Sequence, residues 1–323
     1  LTVKSGRARA LGDFEAGADV AWQIYDKYHQ PRQAYYAMYY NNSANRSSLN
    51  LRLFPEIVKR ENPKFESRAD QHGYLSYYIA ALCIDGQYDT VSKVISQVQY
   101  PIVSGHIALI HLRALTLEGD MQAVDSMLQY YRSCKLEYVG PVPPSFLLFP
   151  IVVELNKAGN QELLDRYLDI WEEWLNKYER NMWSPANEMA LAYLRKDYQA
   201  AYEAALHFYN NSPVGKVLFT ETPAICLLQL GKEKEAQQWL DHLIEDGEHY
   251  PGALDYAIGM FEGHRGNIDK AVAHLRRANE NGFDYDWYNY RYDVLAKELM
   301  QYPEFIELTE PKNGSDQGQT IND

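Results

Sequence analysis

Cysteine is scarce here and poorly placed for chemistry. The chain has three, Cys83, Cys134 and Cys226, far apart and without C-x-x-C spacing, which gives neither a disulfide framework nor a zinc-site pattern. Cys83 and Cys226 fall inside apolar helical runs and are assigned to the core. Basic residues are outnumbered, 31 Lys and Arg against 44 Asp and Glu, for a net charge of −13. Nucleic acid and anionic membrane surfaces are held by clustered Lys and Arg, so neither is the main partner of these residues. No run of about 18 uncharged apolar residues occurs, and no membrane span is predicted. The chain begins at Leu1 with no basic start followed by an apolar core. We expect a processed or excised portion of something longer, cytoplasmic or periplasmic.

Catalytic signatures are lacking too. There is no G-x-x-x-x-G-K-[ST] loop, no strand followed by G-x-G-x-x-G, no G-x-S-x-G elbow and no H-E-x-x-H helix. His106 and His111 are five apart, a spacing that turns them away from a shared helical face. Glu172-Glu173 and Glu245-Asp246 are adjacent in sequence and read as solvated faces. Asp284 and Asp286 flank aromatic residues and read as cap or turn residues rather than a catalytic pair. No catalytic residue, cofactor site or metal site is assigned. Sequons at Asn41, Asn45, Asn210 and Asn313 carry little weight without a known compartment.

What is present is a repeat. The phrase Gly86-Gln-Tyr-Asp-Thr-Val91 recurs in looser form at Gly119, Gly159, Lys196, Gly231 and Gly266, at spacings of 33, 40, 37, 35 and 35 residues. That is the period of stacked helix-turn-helix units, each burying its apolar face against its neighbours. The residue nine beyond each anchor is Ile95, Leu128, Leu168, Ala205, Leu240 or Leu275, all apolar, as a buried seam between units requires. An apolar fraction of 46% supports a sizeable core. At the fourth turn Lys196 replaces glycine, so that turn is expected to be nearer αR or to carry strain. Pro143 and Pro144 cannot both lie within a helix, and the insertion at 139–145 is expected to protrude. Trp171, Trp174 and Trp183 are expected to fill the seam to the next unit.

The flanks differ. Phe14 to His29 reads as a helix, Pro31 opens a second one, Asn41 to Ser48 reads as a polar loop, and Leu51 to Lys59 as a further short helix. Tyr35, Tyr36, Tyr39 and Tyr40 at helical spacing are expected to pack between this cap and the first repeat. At the other end Trp287, Leu295, Phe305 and Leu308 are placed to cover the last repeat. The polar stretch after Thr309 is expected to be disordered.

The G-x-Y-x-x-A pattern resembles the tetratricopeptide repeat family over about two thirds of the chain. The resemblance implies an all-α, right-handed superhelical solenoid with helical caps at both ends: a cap over 1–72, six repeats over 73–281, a capping module over 282–308 and a tail over 309–323. The Pro303-x-Phe305-x-x-Leu308 ending is similar to the one that follows such arrays in bacterial winged-helix transcription regulators and class III adenylate cyclases. In the family the first helix of each repeat lines the concave face. Carried over by register, that face receives Arg113, Phe149, Asn156, Tyr193, Glu221, Tyr256, Met260 and His264, a set suited to a protein, a peptide or a small effector. It lacks the several Lys, Arg and Asn residues of the family's carboxylate clamp for chaperone tails. Arg113 is expected to be the charged anchor, with Tyr193 and Tyr256 giving aromatic area and Met260 an apolar wall. The competing account pairs Arg113 with a neighbouring Glu. Whether the face is open or covered by the chain itself is left open, as is the oligomeric state. The leading reading is a non-enzymatic sensory or regulatory module of a bacterial signalling protein. The alternatives are an assembly scaffold of an envelope or secretion complex and, third, a helical-repeat enzyme.

Overall fold

The computed structural model describes residues 13–61, 70–97, 104–136, 143–178, 184–212, 215–216, 219–246, 252–283, 290 and 293–310. Among these the regular structure is helical, with no strand and one isolated bridge residue, Ser104. Three helices open the chain: α1 (Phe14–Tyr28), α2 (Pro31–Ser43) and α3 (Ser48–Glu61). Six antiparallel pairs follow: α4 (Asp70–Ile84) with α5 (Tyr88–Ser96), α6 (Gly105–Glu118) with α7 (Met121–Ser133), α8 (Phe149–Ala158) with α9 (Gln161–Lys177), α10 (Ser184–Leu194) with α11 (Tyr198–Asn211), α12 (Thr222–Gln229) with α13 (Glu233–Asp246), and α14 (Ala253–His264) with α15 (Ile268–Glu280). A 3-10 helix, Ala296–Gln301, and α16 (Pro303–Thr309) close the array. The result is an all-α solenoid.

The turn inside each pair has one local cause. Gly86, Gly119, Gly159, Lys196, Gly231 and Gly266 all have φ between 63° and 79°, the left-handed conformation that ends a helix. At Gly119, the Asp120 N–H donates to the Leu115 carbonyl and the Gly119 N–H to that of Thr116. Lys196 keeps the same pair of bonds, Asp197 to Ala192 and Lys196 to Tyr193. Its turn is therefore left-handed and strained, not αR. A Cβ at Gly86, Gly119, Gly159 or Gly231 would meet nothing within 4 Å, which explains why a side chain is sterically admitted at this turn. The following residue starts the next helix: Asp120, Asn160 and Asp197 accept from the backbone N–H three residues on.

Burial separates the two layers. The first helices of the pairs are buried nearly all round, continuously over 107–116, 150–155 and 222–227. The second helices bury a stripe, Val124, Leu128 and Tyr131 on α7 and Ala271, Leu275 and Ala278 on α15. Ile95, Leu128, Leu168, Ala205, Leu240 and Leu275 are all buried, as are Trp171, Trp174, Cys83 and Cys226. Tyr35 and Tyr39 pack on Tyr77 of α4, and Tyr40 stacks on Tyr36.

Several expectations are corrected. Residues 41–47 are not an exposed polar loop: α2 runs to Ser43, and Asn41, Asn42, Asn45 and Asn50 are buried. The Asn50 amide donates to the Met38 carbonyl and to Asn42 Oδ1, and Asn41 Nδ2 donates to Asn50. A glycan on Asn41 or Asn45 does not fit this packing. Phe305 is fully buried as expected, but its buried companion is Thr309, four residues on and on the same helical face, while Leu308 is half-buried. In the insertion, Pro143 caps and Pro144 opens a buried 3-10 turn, Pro144–Leu148. Residues 139–142, Trp183, Asp284, Asp286, Trp287 and the tail beyond 310 lie outside the described residues.

The two ends of the chain meet. Asn45 Nδ2 donates to the Glu310 carbonyl at 2.7 Å, and Asn279 Nδ2 on α15 donates to the Ser43 carbonyl at 3.2 Å. The stack curves until its first loop touches its last repeat and closing helix.

Candidate functional site at the inner wall

The inner wall is formed by the first helix of each pair, and the chain covers much of it. Arg113 retains 8% of its surface, Tyr193 5%, Tyr256 6%, and Glu221 and Met260 almost nothing. The face is not an open groove along its length. Phe149 is half-buried, stacked on Phe146 and edge-on to Trp171.

Arg113 does not stand out as an anchor for a foreign anion. Its Nε donates to Glu154 Oε1 at 2.7 Å, and Lys157 Nζ lies 2.7 Å from the other oxygen. Burial pushes the Glu154 carboxyl up, but the two cations outweigh it and hold the group below the usual range. The competing account, pairing with a neighbouring glutamate, is the observed one.

The remaining predicted residues converge elsewhere, against the segment 293–299. Tyr256 donates its hydroxyl to Asp293 Oδ2 at 2.8 Å, and Asp293 Oδ1 accepts the Leu295 N–H. His264 Nε2 lies 3.0 Å from the Leu295 carbonyl, so that nitrogen carries the hydrogen. Lys297 Nζ reaches Asn156 at 3.1 Å, tying the closing module to α8 on the far side of the wall. Gly263 allows this approach, because a Cβ there would lie 2.9 Å from Leu299. Tyr256 is itself fixed by stacking on Phe283 and by an edge contact with Tyr290. Tyr193, Glu221, Tyr256 and His264 thus share one region, Asn156 joins it through Lys297, and Arg113 stays in its own network.

Glu221 is delivered by an unusual backbone. Phe219, two residues before it, has φ 64°, a conformation a bulky side chain adopts only when its surroundings force it. The Phe219 ring packs on Phe208, and Trp239 Nε1 donates to the Thr220 carbonyl, which hold the turn. Glu221 then opens α12 with its carboxyl buried, its side-chain contact being Thr222 Oγ1 at 3.5 Å.

The electrostatics are those of acids without counter-ions. Burial, and then the charge of Asp293, push the Glu221 carboxyl up to about 8. Burial raises Asp293 and Glu298 as well and drives His264 down to about 4, leaving its imidazole neutral at pH 7. Three polar atoms here have no partner: Tyr193 Oη, His264 Nδ1 and Glu298 Oε2. Among the described residues no group of three or more His, Cys, Asp or Glu is arranged to hold a metal.

Sequence reasoning missed Asp293, Lys297 and Glu298. All three fall within the capping module read over 282–308, where only Trp287, Leu295, Phe305 and Leu308 are given a role. The available signal was the run of charges in Asp293-Val-Leu-Ala-Lys297-Glu298, too polar for a segment whose only task is to cover an apolar flank.

No family model matches the chain, and no curated protein matches it. Among solved structures it is similar to a tetratricopeptide repeat protein from Parabacteroides merdae, at 13% identity and a TM-score of 0.44, over 92% of this chain and 98% of that one.

Proposed function

We propose that this chain is a non-enzymatic binding module, the sensory or regulatory part of a signalling protein, that takes a small effector where its closing module meets the inner wall. The observation that carries this reading is the trio of buried polar atoms without partners, Tyr193 Oη, His264 Nδ1 and Glu298 Oε2. Buried polar groups in folded proteins nearly always have partners, and each lost partner costs about 1–3 kcal/mol. An effector that supplies those partners stabilises the module as bound. Its contacts span the repeats and residues 293–299, so binding tightens the seal at the end of the array and, through Asn45 and Glu310, the junction with the first loop. An extended peptide along the whole concave face is disfavoured by the burial of its inner positions.

The test is a thermal-shift screen of cationic, neutral and anionic small molecules on the full chain, with hydrogen exchange read at residues 293–309. Compounds that raise the melting temperature and slow exchange there support the module. If no compound does either, the chain is a scaffold held together by its own contacts.

A further inference from the structure

We propose that the molecule bound at this inner site is a small organic cation carrying N–H donors, an amine in its ammonium form, received by Glu221, Asp293 and Glu298 beside the Tyr193 and Tyr256 hydroxyls. This rests on the binding-module reading above and names its ligand class.

The wall itself supplies the comparison. Where the chain buries an acid for its own stability, at Glu154, it places two cations at 2.7 Å. Glu221, Asp293 and Glu298 have no ion pair at all among the described residues, and the nearby Lys297 ammonium is turned to Asn156. A buried acid without a counter-ion is expensive to ionise. Buried Glu221 and half-buried Asp293 and Glu298 along one seam form a surface that a cation from outside completes.

Donor and acceptor bookkeeping narrows the class. The His264 Nε2 hydrogen is spent on the Leu295 carbonyl, so in the neutral ring Nδ1 is a bare lone pair. Glu298 Oε2 is an acceptor when ionised. The Tyr256 hydrogen is spent on Asp293, which leaves its oxygen as an acceptor. The Tyr193 hydroxyl can turn to donate or accept and Glu221 gives up its proton when a cation arrives, so the demand left at His264 Nδ1 and Glu298 Oε2 is for hydrogen-bond donors. A quaternary ammonium has none, a carboxylate or phosphate brings more acceptors, and among the described residues no group of three or more His, Cys, Asp or Glu is arranged to hold a bare metal ion. A protonated amine has up to three N–H groups and a charge, with a short carbon chain to lie on the tyrosine rings. Tyr193 is the independent sign of an occupant: it keeps only 5% of its surface exposed, and its hydroxyl has no partner among the described residues.

The experiment is calorimetric titration of the full chain with n-butylammonium and 1,4-diaminobutane, alongside tetramethylammonium, butyrate, butanol and potassium chloride. Saturable binding of the primary amines is expected, at least about tenfold tighter than tetramethylammonium, with none for butyrate. Glu221→Gln and Glu298→Gln should each weaken the amines at least about tenfold and Tyr193→Phe about threefold, with the melting transition retained. Glu298 is half-buried, so its variant keeps the test alive if Glu221→Gln unfolds. Glu172→Gln, on an outer helix and paired with Arg195, should change nothing. No saturable amine binding, or amine binding indifferent to both glutamine variants, overturns the proposal. If butyrate or butanol binds instead and slows exchange at 293–309, the cation class falls while the binding module stands. If no probe and no compound of the wider screen does so, both fall.

Discussion

Lys196 is held in a left-handed turn, φ 63°, that its five sister positions fill with glycine. An L-residue with a Cβ loses roughly 1–2 kcal/mol in that conformation, while glycine costs back part of this through chain entropy. Lys196→Gly is therefore expected to stabilise the chain by about 1 kcal/mol, and Gly159→Lys to destabilise it similarly. Chemical denaturation of both variants checks this; a destabilised Lys196→Gly would mean that the lysine side chain contributes contacts the turn geometry does not reveal. The second residue-scale case is Glu154. Removing it leaves Arg113 and Lys157 buried without their anion, and breaking a buried pair in this way costs roughly 3–5 kcal/mol. Glu154→Ala should lose that much stability in a urea titration, whereas Glu172→Ala, on a partly exposed pair, should lose less than about 1 kcal/mol.

At the scale of the element, the closing module carries two duties. Phe305 is fully buried at the end of the stack, and Asp293 and Leu295 are held by Tyr256 and His264. Phe305→Ala should cost roughly 3–5 kcal/mol, felt locally because each repeat of a solenoid leans only on its neighbours. Hydrogen exchange should accelerate in residues 253–281 and 293–309 and stay unchanged in 104–136; uniform acceleration would show that the array unfolds as one unit. The helix-pair turns were legible because their cause is local. A left-handed residue stops one helix, and in three repeats Asp120, Asn160 or Asp197 starts the next with its own side chain. The burial of Thr309 in place of Leu308 was not legible from hydrophobicity. Helix geometry groups Thr309 with Phe305, and the Thr309 hydroxyl satisfies itself on the Phe305 carbonyl.

For the whole molecule, pH is the sensitive variable. His106, His111 and His264 are pushed by burial from 6.5 down to about 3, 4 and 4. The unfolded chain binds those protons more readily, so the histidines make stability rise with pH from about 3 to about 6.5. Glu221 behaves oppositely: burial and Asp293 raise it from 4.5 to about 8, the folded chain keeps a proton that the unfolded chain has lost, and stability falls as pH climbs through that window. Between pH 6.5 and 8 only the acid contribution remains. Denaturation midpoints are thus expected to decline over that interval in the wild type and to decline less in Glu221→Gln, since burial raises Asp293 and Glu298 as well; a decline of equal size in the variant would place its origin elsewhere. The contact between the chain's ends belongs to the same scale. Asn45→Ala with Asn279→Ala removes both bonds between the chain's ends and the Asn279 bond to the Phe283 carbonyl, worth about 1 kcal/mol each, and exchange should rise together in 41–50 and 303–310, although these segments are far apart in sequence.

The sequence by itself determined the helix pairs, their turns, the buried seam from Ile95 to Leu275 and the packing of the tyrosine-rich α2. Each of these depends on residues within one repeat or its neighbour, where helical periodicity and turn chemistry act directly. The register of the resembled family, rather than the residues alone, assigned Tyr193, Glu221, Tyr256 and His264 to one face together with Arg113, Phe149, Asn156 and Met260. Only the tertiary structure decided that this face is covered, that Arg113 belongs to Glu154, and that Asp293 and Glu298 join Glu221. The Arg113 pair is set by the packing of α6 on α8 in the next repeat, while the other two outcomes follow from the curvature accumulated over all the repeats, a sum of small rotations that no single repeat encodes. The same curvature brings Asn45 to Glu310 across 265 positions and folds the closing module back onto the inner wall.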